Sequence, residues 1–338
     1  MQNRQFILKS RPEYLAGPEN FDLKISPVLP LKQGEARVAV EMVALSAWQG
    51  MRTKDFKNFI RPFDLGELID CDVFGKIIET KCSDLPEGVS VVGRLGWQDY
   101  AVIKPEQVSI VSKEFSAEEW LTALSSPGQT PYLALSQVAR PMPGETLVVS
   151  SAAGAIGVYT VQFGLLSGMR VIGIAGGSRK TEFVTTKLGA HACVDYKSKS
   201  FKADLANACH DGANIYFDLV GGETADAVSE NLAKNAKILM VGRVSANNSN
   251  DPEWDPANMR HVWSQEATIY AFSRYSYKNL FPSVNAKIGR LLKQKLLKMH
   301  NTNFSGFENT PSILNQMLSG QHVGKVLIKY ADTKGNRI

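Results

Sequence analysis

The chain has 338 residues, of which 44% are hydrophobic and 21% charged, a composition typical of a soluble globular protein long enough for two domains. The net charge of +5 is spread along the chain without a run of like charges, so nucleic-acid binding is not indicated. The sequence contains no apolar stretch long enough to span a membrane, and the apolar part of its start is too short for a signal peptide.

The cysteines and histidines do not form a recognisable metal-binding or disulfide pattern. Four cysteines lie far apart without C-x-x-C spacing, and the five histidines show no H-x-x-x-H spacing. We therefore expect no metal site and no disulfide framework. Reduced thiols in a cytoplasmic protein are the simplest interpretation.

Residues up to about 120 are predicted to be mostly β-structure. Short apolar segments separated by turns lie at 37–45, 72–79, 89–97 and 100–103. Gly75 falls inside the second of them, which predicts a bulge or a close approach of backbones. Many short strands at this spacing indicate a partly open barrel.

The pattern changes near Ser116. Ser116 and Glu119 form a predicted capping box for a helix over 117–124, and another helix is expected after residues 127–132, ending near 138. From there strands and helices alternate, which predicts an α/β fold with a doubly wound parallel sheet. The predicted strands are 146–151, 170–175, 194–196, 214–219 and 237–242, and the helices are 156–166, 179–188 and 223–233.

The last third of the chain contains three further predicted features. Residues 247–258 are polar and turn-rich, a candidate lid or partner-contact loop. Residues 280–299 contain a basic amphipathic helix whose lysines are interpreted as a solvated face. Thr310 is expected to cap a helix that Gly320 ends, before a final strand at 326–330.

The segment 146–157 carries the first functional signal. A buried strand is followed by a turn of small residues and then a helix, the geometry that aims a helix N-terminus at a phosphate. The spacing is that of G-x-G-x-x-G, with Ala152, Gly154 and Gly157 in the three glycine places. Gly154 would let the backbone approach a pyrophosphate, and Gly157 would let the helix lie close to the strand.

The end of the next strand predicts which dinucleotide is bound. An NAD site would place Asp or Glu there, roughly twenty residues after the fingerprint, to hold the ribose hydroxyls. The chain instead has Gly177, Ser178, Arg179 and Lys180, which supply a hydroxyl and cations for a 2′-phosphate, and Tyr196 follows the next strand. The prediction is NADPH; the alternative is that Arg179 and Lys180 only begin an exposed helix.

Other catalytic patterns are missing from the sequence. There is no G-x-S-x-G elbow, and residues 320–326 resemble a P-loop only superficially, being one residue short and leading into a strand. Asp70 and Asp72 are interpreted as solvated residues at a sheet edge. Hydride transfer fits, because the nicotinamide carries that reaction and the protein supplies position and electrostatics.

These features together resemble the zinc-free medium-chain dehydrogenase/reductases. Several segments are closer to the NADPH-dependent alkenal/enone reductases, which include leukotriene B4 12-hydroxydehydrogenase/prostaglandin reductases and curcumin reductases. The segments are Asn3-Arg4-Gln5, Met51-Arg52, residues 216–223 (Tyr-Phe-Asp-Leu-Val-Gly-Gly-Glu), Pro256-Ala257-Asn258, residues 306–309 (Gly-Phe-Glu-Asn) and Gly324-Lys325. The resemblance implies a GroES-like catalytic domain over 1–122 completed by 303–338, a Rossmann domain over 123–302, a cleft between them, NADPH and a homodimer.

The resemblance also implies roles for individual residues. Ala153, Gly154, Ala155, Ile156 and Gly157 would lie under the pyrophosphate. Lys180 and Tyr196 would bind the 2′-phosphate, with Gly177, Ser178 and Arg179 nearby. The remaining implied cofactor-binding residues are Val220, Gly221, Val241, Gly242, Phe272 and His322. Tyr275 falls where the family has an active-site tyrosine that stabilises the enolate, although a packed or surface aromatic is the alternative.

Four departures from the family pattern affect the expected substrate wall. Trp48-Gln49-Gly50 replaces Asp-Pro-Tyr, Leu219 and Asn247 replace an asparagine and a tyrosine, and His322 replaces a late asparagine. We expect NADPH binding to be kept and the substrate wall to be rebuilt, so the family's substrates do not transfer. The main hypothesis is reduction of the C=C bond of enals or enones; the alternatives are a quinone oxidoreductase and a catalytically silent NADPH-binding protein.

Overall fold

The computed structural model describes residues 1–55, 60–243 and 259–330. Two compact units divide the chain: Met1–Leu121 with the segment from Asn301 onward, and Thr122–His300. None of the helices in these described ranges is long and apolar enough to cross a membrane.

Strands predominate in the first unit, whereas strands and helices alternate in the second. The strands are β1 Gln2–Leu8, β2 Phe21–Pro27, β3 Ala36–Leu45, β4 Asp72–Thr80, β5 Ser90–Arg94, β6 Tyr100–Ile103, β7 Val108–Val111, β8 Thr146–Val149, β9 Arg170–Ala175, β10 Ala192–Asp195, β11 Ala213–Asp218, β12 Leu232–Met240, β13 Thr268–Ala271, β14 Asn301–Ser305 and β15 Lys325–Lys329. The helices are α1 Ala47–Thr53, α2 Ala117–Leu121, α3 Ser126–Leu133, α4 Gly157–Leu166, α5 Ser178–Glu182, α6 Phe201–Ala208, α7 Gly222–Ser229, α8 Met259–Ser264, α9 Phe281–Lys293 and α10 Thr310–Leu318.

The first unit is β-rich. Its main sheet has the order β14-β15-β3-β4-β5-β7, with β6 also paired to β3, and β1 and β2 form a separate hairpin. Gly75 confirms the expected close approach, because a Cβ there would lie 2.5 Å from the carbonyl oxygen of Ala39. The β3–β4 register shifts between Val40 and Met42, close to this contact.

Arg4 joins the two ends of the chain within this unit. Its Nε donates to Asp99 over 2.8 Å, its Nη1 donates to Glu308, and its guanidinium lies 4.6 Å from the ring centroid of Phe307. The hydrogen bond to Asp99 is the main reason why the pKa of Arg4 is raised. Two segments that carry the family resemblance, 3–5 and 306–309, therefore contact each other and serve the fold.

The second unit is a doubly wound parallel sheet. Its six strands are all parallel in the order β10-β9-β8-β11-β12-β13, which is 3-2-1-4-5-6 in order of occurrence. Strand residues such as Val148, Ile172 and Tyr216 are fully buried, as expected for a sheet covered on both faces. The strand order reverses between β8 and β11.

Helix boundaries confirm some predictions and correct others. The capping box is present, with Ser116 N–H donating to Glu119 over 2.7 Å and Glu119 N–H donating to the Ser116 hydroxyl over 3.2 Å. The helix expected to begin after residue 132 begins earlier: α3 starts at Ser126, with Pro127 in its first turn, where a missing N–H is tolerated. The predicted lid at 247–258 lies outside the described residues.

The cap expected at Thr310 is also wrong. Asn309 occupies the N-cap position of α10, and the Thr310 hydroxyl bonds the carbonyl of Phe307 over 2.7 Å and lies 2.9 Å from the Tyr330 hydroxyl. Pro311 does lie in the first turn, and Gly320 follows the helix with a φ of 72°. The buried hydroxyl thus links α10 to the strand end instead of closing the helix.

Candidate cofactor-binding and active site

The carboxyl edge of the parallel sheet gathers the predicted site residues of the second unit. In a doubly wound sheet, ligands bind beyond the carboxyl ends of the strands where the strand order reverses, here between β8 and β11. The predicted residues follow those ends in turn: Ala153–Gly157 after β8, Gly177–Lys180 after β9, Tyr196 after β10, Val220 and Gly221 after β11, Val241 and Gly242 after β12, and Phe272 and Tyr275 after β13.

The turn after β8 is tight enough to require glycine. A Cβ on Gly157 would lie 2.1 Å from the carbonyl oxygen of Ser151, and one on Gly154 would lie 2.7 Å from the Ser151 hydroxyl. Ser151 itself has a φ of 49°. Ile156 occupies the N-cap of α4 and makes no side-chain hydrogen bond to the helix, which suits an N-terminus that receives a phosphate.

A different glycine brings α4 close to the sheet. A Cβ on Gly164 would lie 2.6 Å from Leu147 and 2.9 Å from Val171, the side chains of β8 and β9 beneath the helix. Gly164, about two helical turns beyond Gly157, therefore allows the close approach of helix and sheet that was expected at Gly157. Gly157 packs instead against the backbone of the turn.

Cations collect at the end of β9. Lys180 is half-buried on α5, and its pKa is lowered, first by burial and then by repulsion from Arg179 and Lys197. Lys197 follows Tyr196 and was not singled out by the sequence. A cluster of this kind is the environment that a 2′-phosphate would stabilise.

The turn before this cluster is held by an acid from the neighbouring strand. The Asp195 carboxylate accepts the N–H groups of Gly177 and Lys197, each over 2.9 Å, and these bonds lower its pKa. The Tyr196 ring lies against Gly176, where a Cβ would approach it to 2.8 Å. Residues 176–180, directly after β9, contain no Asp or Glu, although an NAD site would have one at this place. Asp195 lies on β10 instead, and its carboxylate binds backbone N–H groups.

Tyr196 also borders a cavity of about 400 Å³. Phe201 and Thr224 lie on its wall, so the space connects the end of β10 with the start of α7. Tyr196 is half exposed, at 50%. An aromatic ring beside an open cavity next to the cation cluster is suited to the adenosine part of a dinucleotide.

Asp218 organises the loop that follows β11. Its Oδ1 accepts the N–H groups of Val220 and Gly221, each over 2.9 Å, and the Tyr216 hydroxyl over 2.8 Å. The hydroxyl of Ser150, the residue that follows β8, lies 3.2 Å from the same oxygen. Burial raises the pKa of Asp218, against the lowering effect of these hydrogen bonds. The sequence missed this role, although a polar residue ending an apolar strand was a usable signal.

The ends of β11 and β12 are tied together through the same residue. The N–H groups of Val241 and Gly242 donate to the Asp218 carbonyl over 2.9 and 3.0 Å. Leu219 is buried, 6% exposed, and its N–H donates to Ser150. This departure from the family pattern therefore changes packing beneath the loop.

Tyr275 lies on a 3-10 segment, Arg274–Leu280, after β13. Its side chain is 57% exposed, and its hydroxyl accepts a hydrogen bond from Arg274 over 3.1 Å. Phe272 stacks on Tyr277 with ring centroids 5.8 Å apart. Tyr275 is thus an exposed residue whose hydroxyl is bonded to a cation, a combination the sequence did not reveal.

Two predicted wall or site residues belong to the first unit. His322 packs edge-on against Phe304 at 5.2 Å. The Trp48 ring carries the guanidinium of Arg94 at 4.4 Å, and Arg94 pairs with Asp70 over 2.5 Å. Asp70 is thus paired rather than only solvated, and burial raises its pKa. Asn247 lies outside the described residues.

The donor set fits NADPH. The glycine turn leaves room for a pyrophosphate, the cation cluster suits a 2′-phosphate, and the cavity beside Tyr196 suits adenosine. Over residues 1–55, 60–243 and 259–330, no group of three or more His, Cys, Asp or Glu side chains is placed to hold a metal ion.

Comparisons with known proteins agree with this geometry. A family model described as the N-terminal domain of oxidoreductase matches residues 4–111, and one described as zinc-binding dehydrogenase matches residues 155–289. The chain is 31% identical to the NADPH-dependent curcumin reductase of Escherichia coli (strain K12), covering 98% of this chain and 97% of that protein. It is 29% identical to an NADP(+)-dependent 2-alkenal reductase of Nicotiana tabacum, covering 97% of each.

A solved structure gives the same result in three dimensions. CurA from Vibrio vulnificus in complex with NADPH matches with a TM-score of 0.91 and 31% identity, covering 96% of this chain and 98% of that one. The two units therefore have the GroES-like and Rossmann folds. The chain belongs to the medium-chain dehydrogenase/reductase family, among its NADPH-dependent alkenal and enone reductases.

Proposed function

We propose that this protein reduces the C=C bond of α,β-unsaturated carbonyl compounds, enals and enones, with NADPH and without zinc. The observation that carries the proposal is the cation cluster of Arg179, Lys180 and Lys197 on the same sheet edge as the exposed Tyr275 hydroxyl. The first suits the phosphate that distinguishes NADPH. The second suits charge developing on a carbonyl oxygen.

The chain's own residues would bind and orient NADPH and would stabilise the enolate. NADPH, when bound, supplies the hydride to the β-carbon. The turn at 153–157 and the cation cluster would hold its phosphates, and the loop that Asp218 orders would border it. Tyr275 would donate a hydrogen bond to the carbonyl oxygen as the enolate forms. A proton from solvent would then add to the α-carbon.

The direct experiment is steady-state NADPH oxidation across enals, enones and quinones, with product identification. We expect saturated aldehydes or ketones from the enals and enones. Reduction of quinones with no turnover of any enone would replace the proposal with a quinone oxidoreductase. Tight NADPH binding without oxidation by any acceptor would replace it with a catalytically silent NADPH-binding protein, an alternative motivated by the sequence changes at Trp48, Leu219 and Asn247.

Zinc independence has a separate argument and a separate test. The described ranges bring no set of metal-ligating side chains together, although one matching family is described as zinc-binding. Hydride transfer to an activated C=C bond needs a hydrogen-bond donor at the carbonyl and no metal. We expect full activity after dialysis against a chelator, and no stoichiometric zinc by metal analysis.

The domain roles, assembly and location extend the same proposal. Residues 1–122 with 303–338 would form the catalytic domain, and 123–302 the NADPH-binding domain. The described cysteines are all free thiols, which supports a cytoplasmic protein. A homodimer is proposed from the family resemblance, and light scattering at several concentrations tests it.

A further inference from the structure

We propose that Arg274 is a positioning residue for the reduction, which fixes Tyr275 and strengthens its hydroxyl as the donor to the substrate oxyanion. The inference rests on the proposed function, since it assigns Arg274 a task in that reaction. The observations that carry it are the contacts of Arg274 on both sides of its guanidinium.

One side of the guanidinium is anchored. Arg274 Nη1 donates to Gln129 Oε1 over 2.8 Å. Gln129 is buried, 4% exposed, and its Nε2 donates to Asn285 Oδ1 over 2.9 Å and to the carbonyl of Leu124 over 3.1 Å. Helices α3 and α9 therefore hold Arg274 through an amide whose own hydrogen bonds are made.

The other side of the guanidinium faces Tyr275. Nη2 donates to the Tyr275 hydroxyl oxygen over 3.1 Å, and the guanidinium carbon lies 4.4 Å from the Tyr275 ring centroid and 4.9 Å from that of Phe281. Among the described residues, no carboxylate forms an ion pair with Arg274. In this part of the described chain, its guanidinium contacts two neutral oxygens and two ring faces.

This arrangement directs the tyrosine proton outward. A phenol has one proton to donate, and its oxygen accepts with its lone pairs. Because Arg274 already occupies the oxygen as a donor, the Tyr275 proton is left for another acceptor, and the charged donor polarises that O–H bond. With Tyr275 57% exposed, a carbonyl oxygen can reach it.

A double-mutant cycle tests the inference. The variants are Arg274→Met, Tyr275→Phe and both together, with Lys278→Met as a control that removes an exposed cation from the same segment. We expect Tyr275→Phe to lower kcat for an enone about 100-fold. Arg274→Met should lower it about tenfold in the wild-type background and less than about twofold in the Tyr275→Phe background, with KM nearly unchanged. Lys278→Met should change neither value.

A spectroscopic readout does not depend on turnover. With tyrosines labelled at Cζ with ¹³C, the resonance lost in Tyr275→Phe identifies Tyr275 in the cofactor-free protein. We expect Arg274→Met to move that resonance and Lys278→Met to leave it in place. Arg274→Lys, which keeps the charge but loses the planar fork, provides a second cycle and is expected to give intermediate values of both readouts.

The outcomes separate the inference from the proposed function. Additive kinetic effects in an enzyme that reduces enones, or a Tyr275 resonance that Arg274→Met does not move, would overturn the inference alone. A higher KM for acidic enones in Arg274→Met, equal with and without Tyr275, would also overturn it, because Arg274 would then contact the substrate directly. A wild-type protein that reduces no enone would overturn the proposed function and, with it, the role given to Arg274.

Discussion

At the scale of single residues, we propose that cofactor choice depends on Lys180. Its side chain is half-buried, and burial together with repulsion from Arg179 and Lys197 lowers its pKa. A neighbouring carboxylate, that of Asp195, accepts the N–H groups of Gly177 and Lys197. The residue environment thus favours a ligand with an extra phosphate.

The first prediction concerns selectivity. Lys180→Ala should weaken NADPH by about 1.5 to 3 kcal/mol, because a charge-assisted hydrogen bond to the 2′-phosphate is lost, while NADH should change little. Nicotinamide fluorescence titration measures both affinities. Lys187→Ala, an exposed lysine on the continuation of the same helix, is the matched control. Equal losses for the two cofactors in Lys180→Ala would remove Lys180 from the 2′-phosphate site.

The second prediction concerns pH. The pKa of Lys180 is lowered in the free protein, and a bound 2′-phosphate would raise it by stabilising the ammonium form. Binding then takes up protons wherever the pH lies between the two values, so NADPH affinity should fall as the pH rises through the lowered pKa of Lys180. NADH affinity should stay flat. Lys180→Arg, which stays charged, should flatten the NADPH curve.

Calorimetry checks the sign directly. Titrations in two buffers of different ionisation enthalpy report protons taken up on binding. Proton release with NADPH, or an alkaline decline that survives in Lys180→Arg, would contradict the assignment of the titrating group.

At the scale of elements, the loop after β11 depends on one buried carboxylate. Asp218 gathers two backbone N–H groups and the Tyr216 hydroxyl, while its own carbonyl receives the N–H groups that end β12. Adjacent strand ends are thereby fixed at the edge where the cofactor is expected to bind. Such a network is costly to break, because its partners are left buried without an acceptor.

The third prediction removes this carboxylate. Asp218→Ala should lower the free energy of unfolding by about 2 to 4 kcal/mol and weaken NADPH and NADH alike, because the loop serves parts that both cofactors share. Asp218→Asn keeps an acceptor oxygen and should cost less. Denaturant unfolding and fluorescence titration give the two quantities, with exposed Asp211→Ala as the control. Unchanged stability, or a loss confined to NADPH, would contradict this role.

Elements were predictable from sequence where their signals are local. The capping box at Ser116, the strand pattern of β9 and the close approach at Gly75 depend on residues a few positions apart or on a single glycine. The early start of α3 was not predicted, because proline usually indicates a turn. Pro127 instead lies in the first turn of the helix, where proline is favoured. The Thr310 cap failed because a partner from β15's end, Tyr330, uses its hydroxyl.

At the scale of the whole molecule, the fold brings together residues that lie far apart in the sequence. The alternation of strands and helices predicted a parallel sheet, and the glycine fingerprint and the missing acid predicted NADPH. No local pattern predicted that Ser150 meets Asp218 or that Arg274 meets Gln129, since these pairs lie 68 and 145 residues apart. Such contacts depend on strand order and helix placement, so they could be identified only from the structure.

The central claim is reduction of an activated C=C bond with a hydride from NADPH. Its most direct test is one turnover series with NADPH deuterated at C4 and an enone, with mass spectrometry and NMR of the product. We expect a saturated ketone that carries deuterium at the β-carbon and a solvent hydrogen at the α-carbon. An allylic alcohol, deuterium at the α-carbon, or a hydroquinone from a quinone as the only reduced product would contradict it.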